Sequence, residues 1–238
     1  TRDAPDGAHQ DSYPLLVLFD GFEHTGAIPT PIVLANLQAA GRLPPVVAVL
    51  VDTRANRARD LNCYPPFDDF VAHELVPWVR ERWRVSPDPG RTVIGGYSLG
   101  GLAAAYAALR HPGLFGAVLS QSGAFWHGGP GGPGGPQGHD GQADDGEHEW
   151  LARLFAGRSP ASDGPLRFYL DVGILETKPT DDDGPTFLVA NRHLRTVLRA
   201  RGYPVHYAEF VGGHEQLSWR GSLADALVAL LGTTQGTG

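Results

Sequence analysis

Short apolar runs alternate along this chain with longer stretches of helical spacing. Leu15–Phe19 is a continuous apolar run closed by Asp20 and Gly21, and it reads as a strand buried on both faces. Residues 28–40 follow with helical spacing and meet a stop at Gly41. Val46–Val51 is a second buried strand. Residues 67–83 then place Phe70, Val71, Leu75, Val76, Val79 and Trp83 at helical intervals. Thr92–Ile94 is a third strand, residues 99–110 form a helix rich in Ala and Leu, and Gly116–Ser120 is a fourth strand. A helix over 150–155, a strand over 166–172, a helix over 191–201, a strand over 205–210 and a closing helix over 223–231 complete the pattern. Strands alternating with helices predict an α/β fold, with a mostly parallel central sheet covered by helices on both faces.

One segment breaks the alternation. Gly128–Gly138 repeats Gly-Gly-Pro three times, and an acidic stretch runs on through Glu149. Such a composition supports neither a core nor a regular element, so residues 127–149 are expected to form a flexible surface excursion. His127, His139, Asp140, Asp144, Asp145 and His148 fall within it. Their spacing matches no metal-ligand motif, and a solvated loop is the expectation, with no metal. Residues 1–238 otherwise read as one catalytic domain.

Charge and composition narrow the function. The 238 residues are 42% hydrophobic and carry a net charge of −7, which argues against a nucleic-acid or anionic-membrane partner. No apolar run reaches the length of a membrane span. Thr1–Gln10 is polar and has no apolar core, so no signal peptide is read there and a cytoplasmic location is expected. A start at Thr rather than Met leaves a cleaved leader open. The single cysteine, Cys63, forbids an intrachain disulfide and is read as a packing residue.

The candidate chemistry sits between the third strand and the Ala-rich helix. Gly96-Tyr97-Ser98-Leu99-Gly100 spells G-x-S-x-G in a strand–turn–helix context. That context describes a tight turn that exposes a serine hydroxyl at the carboxyl end of a strand, with the Leu99 N–H at the helix start aimed at a developing oxyanion. The competing reading of the motif is a Gly-rich turn with a helix-capping serine. A nucleophilic serine requires a base and an orienting acid. His214 follows the sixth apolar strand in Gly212-Gly213-His214-Glu215, which is where a triad base belongs. Glu176 stands just past the fifth strand, at the address of the acid; Asp181, Asp182 and Asp183 compete with it, and a Ser–His dyad is the fallback. Phe22, in the Asp20–His24 loop after the first strand, is the positional candidate for the second oxyanion N–H. The substrate would be a small-molecule ester, and the reaction needs neither metal nor organic cofactor.

Together these motifs resemble the enterochelin (ferric enterobactin) esterase family, a branch of the α/β-hydrolases. The resemblance runs through LLVLFDG (15–21), NRARDL (56–61), GGYSLGGLAAAYAALRHPGLFGAVLSQSGAFW (95–126) and GGHEQLSWRGSL (212–223). It implies an α/β-hydrolase fold, Ser98 as nucleophile, His214 as base, and a catecholate siderophore as a candidate substrate. It supports Glu176 as the acid and Phe22 as an oxyanion donor. In that setting Arg57 and Arg59 would meet an anionic ferric catecholate, or else hold their own loop by pairing with a carboxylate. Tyr97 stands where many relatives carry Gln, and Ser218 where many carry Cys, so the substrate is open to change. Trp126 and Trp219 would wall an acyl or aromatic pocket, or else serve as core aromatics. Relatives often carry a separate N-terminal β-domain, and none is expected within residues 1–238. Alternative readings are a feruloyl, acetyl-xylan or general carboxylesterase, an acyltransferase, and a binding module that keeps the fold without the chemistry.

Overall fold

A computed structural model describes residues 12–129, 148–158, 164, 166–180 and 184–232. Most of the Gly/Pro-rich excursion and all of Asp181, Asp182 and Asp183 lie outside these residues. Six strands form one parallel sheet: β1 (Leu15–Phe19), β2 (Val47–Val51), β3 (Thr92–Tyr97), β4 (Ala117–Gln121), β5 (Arg167–Gly173) and β6 (Val205–Phe210), in the order β2-β1-β3-β4-β5-β6. The helices in chain order are α1 (Gly21–Thr25), α2 (Thr30–Ala39), α3 (Arg57–Asp60), α4 (Pro65–Phe70), α5 (Val76–Arg82), α6 (Leu99–Arg110), α7 (Trp150–Ala156), α8 (Phe187–Ala200) and α9 (Gln216–Leu231).

The two-residue period of the strands divides the core. Leu15, Val17, Phe19, Ile94, Phe168 and Leu170 face one cluster, with α6, α7 and α8 over it. Leu16, Leu18, Val93 and Tyr169 face the other, under α2 and α9. Every residue of β1 is completely buried, which accounts for its unbroken apolar sequence. α6 lies in the same interior: Ala103, Ala104, Ala105, Ala107 and Ala108 are all buried, and their small side chains let the helix lie close on β3 and β4.

The element boundaries differ from the sequence pattern for local reasons. β3 runs three residues beyond Ile94 because Gly95, Gly96 and Tyr97 pair with Leu119, Ser120 and Gln121 of β4; glycine suits the crowded position 95, where a Cβ would stand 2.7 Å from the Leu119 carbonyl oxygen. The helical stretch from 67 onward begins at Pro65 and contains a π turn, Val71–Leu75, between α4 and α5. Pro77 has no N–H for the carbonyl four residues back, and the chain takes the wider register just before it. α8 begins earlier than Asn191, at Phe187, where the Thr186 hydroxyl accepts the Val189 N–H at 3.1 Å. The segment after β1, read as a loop, is the short helix α1.

The strand order fixes where a ligand belongs. From β1 the chain moves to one side for β2 and to the other for β3, so the order reverses between β1 and β3. At such a reversal the connections leave in opposite directions and open a crevice at the strands' carboxyl ends. Asp20 and Gly21 leave β1 there, and Ser98 leaves β3.

Candidate active site

Ser98 occupies the turn from β3 into α6 with φ 55° and ψ −122°, a backbone region that L-residues rarely enter. The turn is over-determined by backbone bonds. The Ser98 N–H donates to Gln121 O at 3.0 Å, while its carbonyl accepts from Gly101, Leu102 and Ala124 at 3.0–3.2 Å. Its side chain makes no capping bond to α6, so the helix-capping reading of the motif is wrong. The hydroxyl instead meets His214 Nε2 at 3.0 Å.

His214 is carried by the turn after β6, and Gly173 at the end of β5 makes room for that turn. A Cβ on Gly173 would lie 2.3 Å from the Gly212 carbonyl oxygen and 2.9 Å from the Glu176 carboxylate. The imidazole is held between Phe187 (ring centroids 4.2 Å apart) and the edge-on Trp219 (4.9 Å). Its Nδ1 meets Glu176 Oε2 at 2.7 Å. An ionised carboxylate only accepts, so Nδ1 carries the proton and Nε2 is left to accept the Ser98 hydroxyl. The Glu176 side chain is 2% exposed, and its second oxygen accepts from the Gly173 N–H at 2.8 Å and the Ser122 hydroxyl at 2.6 Å. Asp171, in β5, is fully buried, and burial pushes its carboxyl up to about 7.

Leu99 is the first residue of α6 and Phe22 the second of α1, and first-turn N–H groups have no partner within their own helix. The two helix starts lie close together: a Cβ on Gly100 would stand 3.4 Å from Asp20 Oδ2 and 3.5 Å from Phe19 Cβ. The Phe22 ring itself is exposed, with the Arg54 guanidinium 4.0 Å above it.

The other candidates divide. Trp126 lines a cleft of about 390 Å³ together with Leu175, Glu176, Pro179, Thr180, Phe187 and His214. Lys178, the one lysine of the chain, stands on its rim. Tyr97 and Trp219, candidates for contacting substrate, are buried at 6% and 3% exposure and stack on each other at 4.2 Å. They form the floor beneath His214 and not the wall of the cleft. Arg57, a candidate for meeting an anion, is committed to the buried Asp20 by a bidentate pair at 2.7 and 2.8 Å. Arg59 pairs with its neighbour Asp60 at 2.8 Å and lies over the Tyr64 ring. Both arginines hold the segment after β2.

Sequence reasoning missed Ser122. It follows β4 in Ser120-Gln121-Ser122-Gly123, where polar residues end an apolar strand at the carboxyl edge of the sheet. That abrupt change of character was the available signal.

Residues 4–230 match the Esterase family, described as "Putative esterase". The chain belongs to that family. Within it, the sequence is 36% identical over 227 residues to the iron(III) enterobactin esterase of Escherichia coli strain K12, covering 94% of this chain and 51% of that protein. It is 30% identical over 228 residues to an iron(III) salmochelin esterase of E. coli O6:H1, covering 92% of this chain and 50% of that one. The crystal structure of the Shigella flexneri enterobactin esterase in the presence of 2,3-dihydroxy-N-benzoyl-glycine superposes with a TM-score of 0.74 at 33% identity, over 92% of this chain and 52% of that one. The chain thus spans about half the length of these Esterase relatives. A ferulic acid esterase at 20% identity and a TM-score of 0.69 shares the fold, which is that of the α/β-hydrolases. Among the described residues no helix is long and apolar enough to cross a membrane.

Proposed function

We propose that this chain hydrolyses carboxylic esters through a serine acyl-enzyme. The observation that carries the reading is the continuous hydrogen-bonded line from Ser98 through His214 to Glu176, at 3.0 and 2.7 Å, with Ser98 held at a positive φ. His214 Nε2 takes the hydroxyl proton as Ser98 Oγ attacks the ester carbonyl. The backbone N–H groups of Leu99 and Phe22 hold the resulting oxyanion. The imidazolium then protonates the leaving alcohol, and the acyl group stays on Ser98. A water molecule, deprotonated by the same nitrogen, attacks the acyl-enzyme and restores the serine. Glu176 keeps the proton on Nδ1 and stabilises the imidazolium in both halves.

The substrate class favoured by this reading is the lactone ester of a catecholate siderophore. It is supported by the relatives named as iron(III) enterobactin and salmochelin esterases. It is supported as well by a cleft that joins aromatic walls, Trp126 and Phe187, to one cation, Lys178. With Arg57 and Arg59 paired to carboxylates, Lys178 is the cation among the described residues that line this cleft, placed to meet a charged acyl part. The test is kcat/KM for enterobactin, with and without iron, beside p-nitrophenyl butyrate, for the wild type and Ser98→Ala. Ser98-dependent cleavage of both is the expected result. Cleavage of the butyrate alone removes the siderophore and leaves the esterase. Ser98→Ala retaining a tenth or more of wild-type activity removes the mechanism.

A further inference from the structure

We propose that Ser122 is a positioning residue for the triad, fixing the aim and charge of Glu176 from behind. The inference rests on the acyl-enzyme reading above. The Ser122 hydroxyl has one proton, and two buried groups determine where it goes. The Trp219 indole N–H can only donate, and it donates to Ser122 Oγ at 3.0 Å. The Ser122 proton is thereby directed to Glu176 Oε1, at 2.6 Å. The result is two donor chains that converge on Glu176: Trp219 donates to Ser122 and Ser122 to Oε1, while Ser98 donates to His214 and His214 to Oε2.

The backbone around Ser122 is built to hold this geometry. Ser122 has φ 48°, a strained value for a residue with a side chain. Its N–H donates to the Asp171 carbonyl at 2.8 Å, which ties it to β5, the strand that precedes Glu176. A serine serves the strained turn less well than glycine would. What serine adds is the hydroxyl, and the hydroxyl is spent on the triad acid. Ser122 and Trp219 are both buried, so neither touches substrate. Their route to the chemistry is through Glu176, which in their absence would keep a single donor, Gly173 N–H, on Oε1.

Losing that donor concentrates the carboxylate charge, which favours the His214 imidazolium, and frees the carboxylate to turn, so that it no longer aligns the imidazole with Ser98 and kcat falls. His214 must be neutral to act as base, so the acid limb of the pH profile moves to higher pH. The titratable groups near the pair, among the described residues, include Asp171 on β5, Lys178 on the loop after it and Glu215, the neighbour of His214 in the turn after β6. Phe187 on α8 and Trp219 on α9 pack on the imidazole and carry no charge.

The experiment measures kcat and KM for p-nitrophenyl butyrate from pH 5 to 9, with melting temperatures, for the wild type, Ser98→Ala, Ser122→Ala and Ser122→Gly. Both Ser122 variants are expected to lose kcat about 10- to 100-fold, the span of one hydrogen bond to a charged group, with KM unchanged within twofold. The acid limb is expected to rise by about half a pH unit or more in both. Ser122→Gly relieves the backbone strain, so it should melt no lower than Ser122→Ala and yet be as slow. A Ser122→Ala enzyme within threefold of wild type with its acid limb in place overturns the proposal, and so does full activity in Ser122→Gly. A wild type whose hydrolysis does not depend on Ser98 overturns the acyl-enzyme reading itself, and this inference with it.

Discussion

The two glycines that flank Ser98 look equivalent in the motif, and the structure makes them unequal. A Cβ on Gly96 would lie 2.8 Å from the Gly100 carbonyl carbon, 2.9 Å from its Cα and 3.1 Å from its oxygen. All three are backbone atoms, so no rotamer change relieves the contact. Carbon atoms meet comfortably at about 3.5–4.0 Å, so the strand and the start of α6 must separate by roughly 0.7–1 Å to admit a methyl group. Overpacking of this kind costs about 1–3 kcal/mol, and in a chain of this length each kcal/mol lowers Tm by about 2–4 °C. The displaced segment carries Ser98 and the Leu99 N–H, and a shift near 1 Å in reacting groups costs on the order of 10²-fold in rate. A Cβ on Gly100 meets nothing nearer than Asp20 Oδ2 at 3.4 Å, an ordinary contact, and α6 gains helix propensity from Ala there. Gly96→Ala is therefore expected to lose roughly 2–12 °C in Tm and about 100-fold in kcat/KM on p-nitrophenyl butyrate, while Gly100→Ala stays within a few-fold and about 1 kcal/mol of wild type. Thermal melts and initial rates on the two variants decide it. Equal behaviour of the pair, or a Gly96→Ala enzyme at full rate and unchanged Tm, would show that the strand-to-helix approach does not set the serine's position.

Two further outcomes follow from the site's surroundings. Glu176→Gln is expected to lower kcat on the order of 10³- to 10⁴-fold, because an amide beside Nδ1 no longer enforces the tautomer, whereas Asn at 181, 182 or 183 stays within threefold; a larger loss in any of those three would move the acid away from Glu176. His24 is buried with Nδ1 on the Thr30 hydroxyl at 2.7 Å, and burial lowers its pKa from 6.5 to about 4, with Asp20 opposing. Between those values the unfolded chain takes a proton that the folded chain refuses, so stability falls as pH drops from 6.5 to 4, by about 3 kcal/mol in all from this group. Urea unfolding of His24→Gln should show that much less acid sensitivity than wild type; parallel curves would contradict the neutral, buried imidazole.

The parts of this molecule that could be read from sequence are those in which one residue type serves one local demand. β1 is buried on both faces, and only an unbroken apolar run satisfies that. The Ala-rich α6 had to be small because it lies within the core. Ser98 directly follows β3, and Glu176 and His214 stand in the turns after β5 and β6, so these positions at the carboxyl edge followed once the strands were placed, with Asp181, Asp182 and Asp183 competing for the acid's place. β3 was cut short because glycine is a poor strand former by propensity, and the contacts that require Gly95 and Gly96 come from β4 and α6, far along the chain or across a turn.

What stayed hidden were pairings between polar groups distant in sequence. Arg57 lies 37 residues from Asp20, and nothing local distinguishes an arginine kept for a substrate from one engaged by a buried carboxylate. The carboxylate decides the matter: Asp20 is 2% exposed, also accepts from the Thr53 hydroxyl, and would be costly to bury without its cation. Trp219 and Tyr97 were ambiguous for a related reason, since an aromatic side chain suits a pocket wall and a core equally well by composition. Their 4.2 Å stack, and the indole N–H directed to Ser122 and not into the cleft, place them beneath the imidazole. The line of hydrogen bonds from Trp219 to Ser98 crosses α9, the turn after β4, the turn after β5 and the turn after β6 before it reaches the elbow after β3, with both halves donating toward Glu176. No window of sequence contains it. It exists because a parallel sheet brings the carboxyl ends of its strands to one edge, and the polar residues that end those strands must there find partners in each other.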